Sequence, residues 1–231
     1  MKNEEQKLDN PVWYSLTETQ MPFAVEYNNI KFYKPNYCSF GGFTDLDKTL
    51  AGCDQYSTLT TNFYIVGPKP EFSESLKINK ELVCNQMITS TPINIEIKET
   101  IIELQTNNET DLFNLVNLVQ PGYFKKETSQ LGSYYGIYKD NQLVAVAGER
   151  MKMNTYTEVS AIVTHPEHTG KGYAKQLIAH VTNKILNENK IPYLHVVENN
   201  IDAIKLYEKL GFLTRRKISF WNLTMNDNSE T

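Results

Sequence analysis

A chain of 231 residues with 40% hydrophobic and 22% charged residues can bury one large core or two small ones. Its net charge of −4, from 23 basic and 27 acidic side chains, argues against a nucleic-acid-binding surface of clustered Lys and Arg and fits a cationic amine partner. The charged start MKNEEQKLDN is no secretory signal, and no apolar run nears the roughly 18 residues of a membrane span. Three widely spaced cysteines, Cys38, Cys53 and Cys84, imply neither a disulfide framework nor a metal site, so the expected compartment is the cytoplasm.

Composition changes near residue 95, which predicts a divergent N-terminal region over 1–95 and a second domain over 96–231. The first region is aromatic and irregular, with a helix expected over about 45–53 and strands through FYIV (63–66) and ELVCNQMI (81–88). Its aromatics, Trp13, Tyr14, Phe40, Phe43 and Tyr56, read as a small core; the region is either a degenerate copy of the following α/β module or a substrate-specificity cap. No internal repeat is visible in the sequence.

After residue 95 the signals sharpen. Asn108 is placed to cap a helix with Asp111 in its first turn, Leu112, Leu115, Val116 and Val119 form its stripe, and Pro121-Gly122 ends it. SYYGIYK (133–139), Asp140-Asn141 and QLVAVAGERM (142–151) read as a hairpin, and TYTEVSAIVT (155–164) as a third antiparallel strand. A second helix carries its stripe on Ala174, Leu177, Ile178, Val181 and Ile185, followed by a buried strand YLHVV (193–197). A third helix over about 201–210 ends at Gly211, and FLTRRKISFWNLT (212–224) closes as one or two strands. Antiparallel strands followed by a βαβ unit make a mixed α/β fold, with helices flanking a mostly antiparallel central sheet.

Two motifs carry chemistry. In Pro166-Glu-His-Thr-Gly170-Lys-Gly172-Tyr-Ala174, between a strand and a helix, the glycines allow close backbone approach and the helix start offers unpaired N–H groups and a positive dipole end. This is a diphosphate cradle, with Lys171 adding charge. It is neither a dinucleotide fingerprint, since Lys175 stands at the third glycine position, nor a P-loop. In Asn200-Ile-Asp-Ala203-Ile-Lys-Leu206-Tyr207-Glu-Lys-Leu210-Gly211-Phe212, spacings of three and four put Asn200, Ala203 and Tyr207 on one helical face.

Together the motifs resemble the GNAT acetyltransferase superfamily over roughly residues 100–224. The first looks like its pyrophosphate loop, with Glu167 where Gln or Arg is usual; the second matches the family's Asn-x-x-Ala-x-x-Leu-Tyr-x-x-x-Gly-Phe at every named position. EVSAIVTHPEHTGKGYA, preceded by its hairpin, is most similar to the glycine-N-acyltransferase and Drosophila-acyltransferase-like branch. The resemblance implies an N-acetyltransferase that moves an acetyl group from acetyl-CoA to a small-molecule or peptide amine by direct attack in a ternary complex. It implies no metal, no nucleic acid and no membrane, and a monomer or homodimer.

It further implies that pantetheine lies along Ile162, Val163 and Thr164, with an N–H near Val163 on the acyl carbonyl. The diphosphate lies on His168, Thr169, Gly170, Lys171, Gly172, Tyr173 and Ala174, and the second helix adds Asn200, Ala203 and Tyr207. Tyr207 corresponds to the family's general acid for the leaving thiolate, and Asn200 holds the pantetheine arm or a water. Two carboxylates compete as the base, Glu158 at the start of the central strand and Glu149 at the end of the preceding one. His165 and His168 read as surface residues beside the loop. The alternative function is a non-catalytic acyl-CoA sensor on the same fold.

Overall fold

A computed structural model of the chain describes residues 2–226. A short helix α1 (Lys2–Glu5) is followed by α2 (Pro11–Thr17), β1 (Ala24–Tyr27), β2 (Ile30–Tyr33), β3 (Phe40–Phe43), α3 (Thr49–Ser57), β4 (Asn62–Val66) and β5 (Leu76–Ile88). Beyond residue 95 come β6 (Ile102–Glu103), α4 (Glu109–Val119), β7 (Tyr134–Lys139), β8 (Gln142–Lys152), β9 (Tyr156–Thr164), α5 (Tyr173–Asn187), β10 (Ile191–Val197), α6 (Ile201–Lys209) and β11 (Leu213–Met225). Local chemistry explains the sharpest boundaries. Asp140 and Asn141 adopt positive φ values of 50° and 63°, the backbone that a two-residue hairpin demands of its turn. Gly211 sits at φ +90° just past α6, where a side chain would be strained.

Among the described residues all eleven strands join one sheet, in the order β1-β2-β3-β4-β11-β5-β10-β9-β8-β7-β6. Two neighbouring pairs are parallel, β3 with β4 and β9 with β10, and each is joined through a helix, α3 or α5. The order strand-strand-strand-helix-strand therefore occurs twice. The last strand of each half crosses over: β5 pairs with β10, β11 pairs with β4, and β5 and β11 pair with each other along nearly their whole lengths. The N-terminal half is thus continuous with the rest of the sheet; of its expected aromatic core, Phe43 and Tyr56 pack among Ile30, Phe32, Phe63 and Leu223, while Phe40 and Tyr14 belong to a separate cluster and Trp13 is only half-buried.

The connection across residue 95 straps α5. Ile93 exchanges two hydrogen bonds with Asn183, and the N–H groups of Lys98 and Glu99 both donate to Gln176 Oε1. The buried face of α5 carries Leu177, Ile178, Val181 and Ile185 as the periodicity predicts. Two local expectations are corrected. Asn108 does not cap α4 with its side chain; its Oδ1 accepts from the Gln105 N–H one turn earlier, because a 3-10 turn over Thr106–Asn108 precedes the helix. Val119 is exposed, since α4 is leaving the sheet at that point.

Removing residues 1–95 would strip β5 from between β10 and β11 and open two ladder edges. A chain of residues 96–231 is expected to show no cooperative thermal transition, against one in the full chain; calorimetry of both checks this.

Candidate active site

The parallel ladder between β9 and β10 runs from Tyr156–Ile191 to Glu158–Tyr193 and stops. Beyond it the strands diverge. β9 stays paired with β8, and β10 with β5, so the two inner edges face each other without partners. A bulge sharpens the fork: Ala161 and Ile162 stand opposite Ala147 alone, and Ala161 adopts φ +49°. A non-glycine residue pays about 1–3 kcal/mol for such backbone, and a bulge re-aims the strand.

The fork opens into a cleft of about 410 Å³. Ser160, Ala161 and Ile162 of β9 form one wall, Val196 and Val197 of β10 another, and Asn200, Ala203, Leu206 and Tyr207 bring α6 onto it, with Ala174 at the start of α5. The spacing expected for Asn200, Ala203 and Tyr207 thus does place them on one cleft-facing side. Asn200 also caps α6, its Oδ1 accepting from the Ala203 N–H at 3.3 Å. Tyr207 is 7% exposed, its hydroxyl has no hydrogen-bond partner among the described residues, and burial raises its phenol to about 12. Val163 turns its side chain away, into the core under α4, so only its backbone can serve the cleft.

The glycine loop leads into α5 as expected. Gly170 and Gly172 both adopt φ +77° with open space around the missing Cβ, and α5 begins without a side-chain cap. Its first N–H groups therefore lack intrahelical acceptors and point outward beside Thr169, Lys171 and His168. Lys171 Nζ lies 3.4 Å from His168 Nδ1, and Tyr173 is buried in the core, leaving its backbone to the loop.

The two carboxylates have separate fates. Glu149 does not reach the cleft: it lies on the α5 side of the sheet, with Oε2 2.5 Å from Lys152 Nζ and Oε1 buried without a partner. The strand alternation that turns Arg150 toward the cleft turns Glu149 away. Glu158 does line the cleft, but both its oxygens are engaged. Arg150 donates from Nε and Nη2 at 2.8 Å each, and His195 Nδ1 stands 2.8 Å from Oε1. His195 Nε2 faces Gln86 Nε2 at 3.1 Å, and the same amide donates to the Leu8 carbonyl while its oxygen accepts from Arg215. This network assigns the His195 proton to Nδ1, donated to Glu158. Burial alone would push the Glu158 carboxyl up; the Arg150 charge and the His195 bond outweigh it and hold it at about 2. With both oxygens engaged by Arg150 and His195, the Glu158 side chain is held as part of this network rather than free toward the cleft.

Residues that the sequence reading did not assign to the site complete the cleft. Phe40, Leu82, Cys84 and Phe220 form its far wall, Arg150 lies 4.7 Å from the Phe40 ring centre, and Gln120 and Tyr123 close one side. Phe40, Leu82 and Cys84 come from the N-terminal half, delivered by the crossed strand β5 and by β3. Burial raises the Cys84 thiol to about 12, so it is no thiolate at neutral pH. Among the described residues no group of three or more His, Cys, Asp or Glu could hold a metal, and no helix is long and apolar enough to cross a membrane.

A family model described as FR47-like protein matches residues 134–221. A solved structure assigned to the GNAT acetyltransferases, from Novosphingobium aromaticivorans, superposes with a TM-score of 0.84 at 30% identity, covering 95% of this chain and 98% of that one. A GCN5-related N-acetyltransferase from Kribbella flavida shares the fold, with a TM-score of 0.60 at 11% identity over 95% of this chain and 94% of its own. A spermidine N(1)-acetyltransferase from Vibrio cholerae is 47% identical over 55 residues, 22% of this chain; the match spans 31% of that relative's length.

Glu158→Gln is expected to destabilise the chain by about 3–5 kcal/mol, because it leaves the Arg150 charge buried without its counterion. The folded pKa of Glu158 is depressed, so its contribution is present above the unfolded value of about 4.3 and lost as pH falls through the folded one. Urea titrations between those two values should show a declining stability in the wild type and a flatter profile in the variant.

Proposed function

The chain belongs to the GNAT family of acetyltransferases, and on that footing we propose that it transfers an acetyl group from acetyl-CoA to a primary amine by direct attack in a ternary complex. One observation carries this reading. The β9–β10 fork, the bare start of α5 and the Asn200–Tyr207 face of α6 converge on a single cleft.

In this proposal the N–H groups of Thr169–Ala174 take the diphosphate. The free edge of Ile162–Thr164 pairs with pantetheine, and an N–H near Val163 meets the acyl oxygen as it gains charge. Tyr207 is fully protonated at neutral pH and donates to the departing thiolate. Glu158 is a positioning residue that orients Arg150 and His195. With no free carboxylate among the described lining residues, the amine attacks from its neutral fraction and its proton passes to water.

The repeated strand order supports the N-terminal half as a degenerate copy of the catalytic half that also shapes the acceptor wall. Within the superfamily, a place in the glycine-N-acyltransferase and Drosophila-acyltransferase-like branch stays a proposal, motivated by the two-half strand order alone. We place the chain in the cytoplasm as a monomer or homodimer. A second reading of the acceptor, a polyamine, draws on the 55-residue match to the Vibrio enzyme.

Acetyl-CoA at 100 times its dissociation constant should stabilise the protein by about 2.7 kcal/mol, read as a rise in Tm. No shift would sink the reading; a shift without thiol release from any amine would leave an acyl-CoA sensor. Tyr207→Phe should keep acetyl-CoA affinity and lower single-turnover rate by roughly ten- to a thousandfold, since only the hydroxyl is lost.

Cys84→Ala tests direct attack. Its kcat/KM is expected within about threefold of wild type, whereas an acyl-enzyme route through this thiol would abolish turnover.

A further inference from the structure

Next to the fork cleft lies a second cavity of about 420 Å³, sharing Tyr123 with it. The two follow one another along the same sheet face. On β11, Phe220 lines the first and Asn222 the second; on β5, Leu82 lines the first and Lys80 the second. Residues two apart on a strand share a face.

The second cavity has a different chemistry. Its lining includes two lysines, Lys80 and Lys125, and no carboxylate. Neither lysine has a carboxylate partner among the described residues. Lys80 Nζ sits 3.3 Å from the Tyr123 hydroxyl and within 6.0 Å of the Tyr64 and Tyr123 ring centres. Ser39, also on the wall, is 6% exposed, yet its Oγ has no hydrogen-bond partner. Buried hydroxyls are ordinarily paired, so an orphan on a cavity wall marks a place for a ligand's polar atom. Asn79 donates to Asn222, which donates to Asn62, so this floor is held in place by its own hydrogen bonds. Between the two chambers the wall is apolar: Phe40, Leu82 and Phe220, with the Phe40 and Tyr64 rings edge-to-face at 5.7 Å.

We propose that the second cavity receives the distal, anionic end of the acceptor. The acceptor is then a primary amine joined through an apolar spacer to a carboxylate or similar anion. Cys84, beside the fork, and Lys80 are four residue steps apart along β5, which sets the span at about 13 Å at roughly 3.3 Å per step. Lys80 and Lys125 meet the anion, Ser39 and Tyr123 add hydroxyl contacts, and the aromatic wall covers the spacer. A polyamine of that length would instead carry a cation into two lysines. The proposal rests on the acetyltransferase reading and names the substrate class of that site.

The test uses the full chain, acetyl-CoA and thiol release with ω-aminoalkanoates from aminobutanoate to aminododecanoate, each compared with the amino alcohol of equal length and with spermidine. For the longest carboxylate, kcat/KM should exceed that of its alcohol by about tenfold, the scale of a few partly exposed charge contacts. The advantage should be absent for aminobutanoate, which cannot span the distance. In the double variant Lys80→Gln, Lys125→Gln, the carboxylate-to-alcohol ratio should fall to near one. Equal rates for acid and alcohol at every length, including none, would overturn the proposal, as would a preference for spermidine or a ratio unchanged in the variant. A protein that acetyl-CoA does not stabilise and that releases thiol with no amine fails as an acetyltransferase, and the proposal with it. Release that ignores the carboxylate fails the proposal alone.

Discussion

The site depends on where two parallel strands stop pairing. Backbone N–H and C=O groups are obligate hydrogen-bonding partners, so a ladder that ends inside a fold must be forced apart and its bare edges must find other company. At the β9–β10 fork one buried charge cluster sits where the ladder ends, and the Ala161 bulge turns β9 away beyond it. Glu158 closes the ladder on β9 and is bonded at once to Arg150 on β8 and His195 on β10, while Gln86 on β5 holds the far side of His195. Four adjacent strands are thereby fixed at the throat of the cleft. A buried ion pair is weak support for stability, because desolvation offsets most of its attraction. Its use here is positional: Arg150, His195 and the last rung of the ladder cannot move separately.

The crossed strands make this arrangement a property of the whole chain. β5 belongs to the N-terminal half by sequence but lies between β10 and β11, so the walls of the cleft are built from both halves. Two sides of the cleft thus have different origins and different chemistry. The β9 side is mostly backbone: a free strand edge and a bulge, with the start of α5 nearby. The β5–β11 side is side chains, apolar near the fork, with Lys80 and Lys125 farther along. In the proposed reaction both sides act at once.

The division also sets which residues can do chemistry. Glu158 is ionised and fully engaged, Glu149 is on the wrong face, Cys84 is held as a thiol and Tyr207 as a phenol. In the proposed reaction the cleft therefore supplies donors and orientation rather than a strong base, which suits a nucleophile that needs only to be neutral and well placed.

Sequence alone determined the longer elements after residue 95, because each has a local cause: the 3.6-residue stripe of α5, the Asp140-Asn141 turn, Gly211 after α6; the two-residue strand β6 and the single course of β11 showed only in the fold. The position of the Gly170–Gly172 loop before α5 and the shared face of Asn200, Ala203 and Tyr207 were also legible, since positive-φ turns favour glycine and residues three and four apart on a helix lie side by side. The choice between Glu149 and Glu158 was out of reach. They differ by which face their strands present and by whether Arg150 and His195 arrive beside them, and His195 is 37 residues from Glu158 in the chain. The short strands β1, β2 and β3 escaped notice for a similar reason. They are only four residues long, they are held by pairing with one another and with β4, and β2 and β3 are buried along their whole length, so they show no alternating pattern. Phe40, Leu82, Cys84, Lys80 and Ser39 carry no spacing signal at all. Only the crossing of β5 into the partner half brings them to one sheet face, and long-range strand pairing of that kind leaves no local trace.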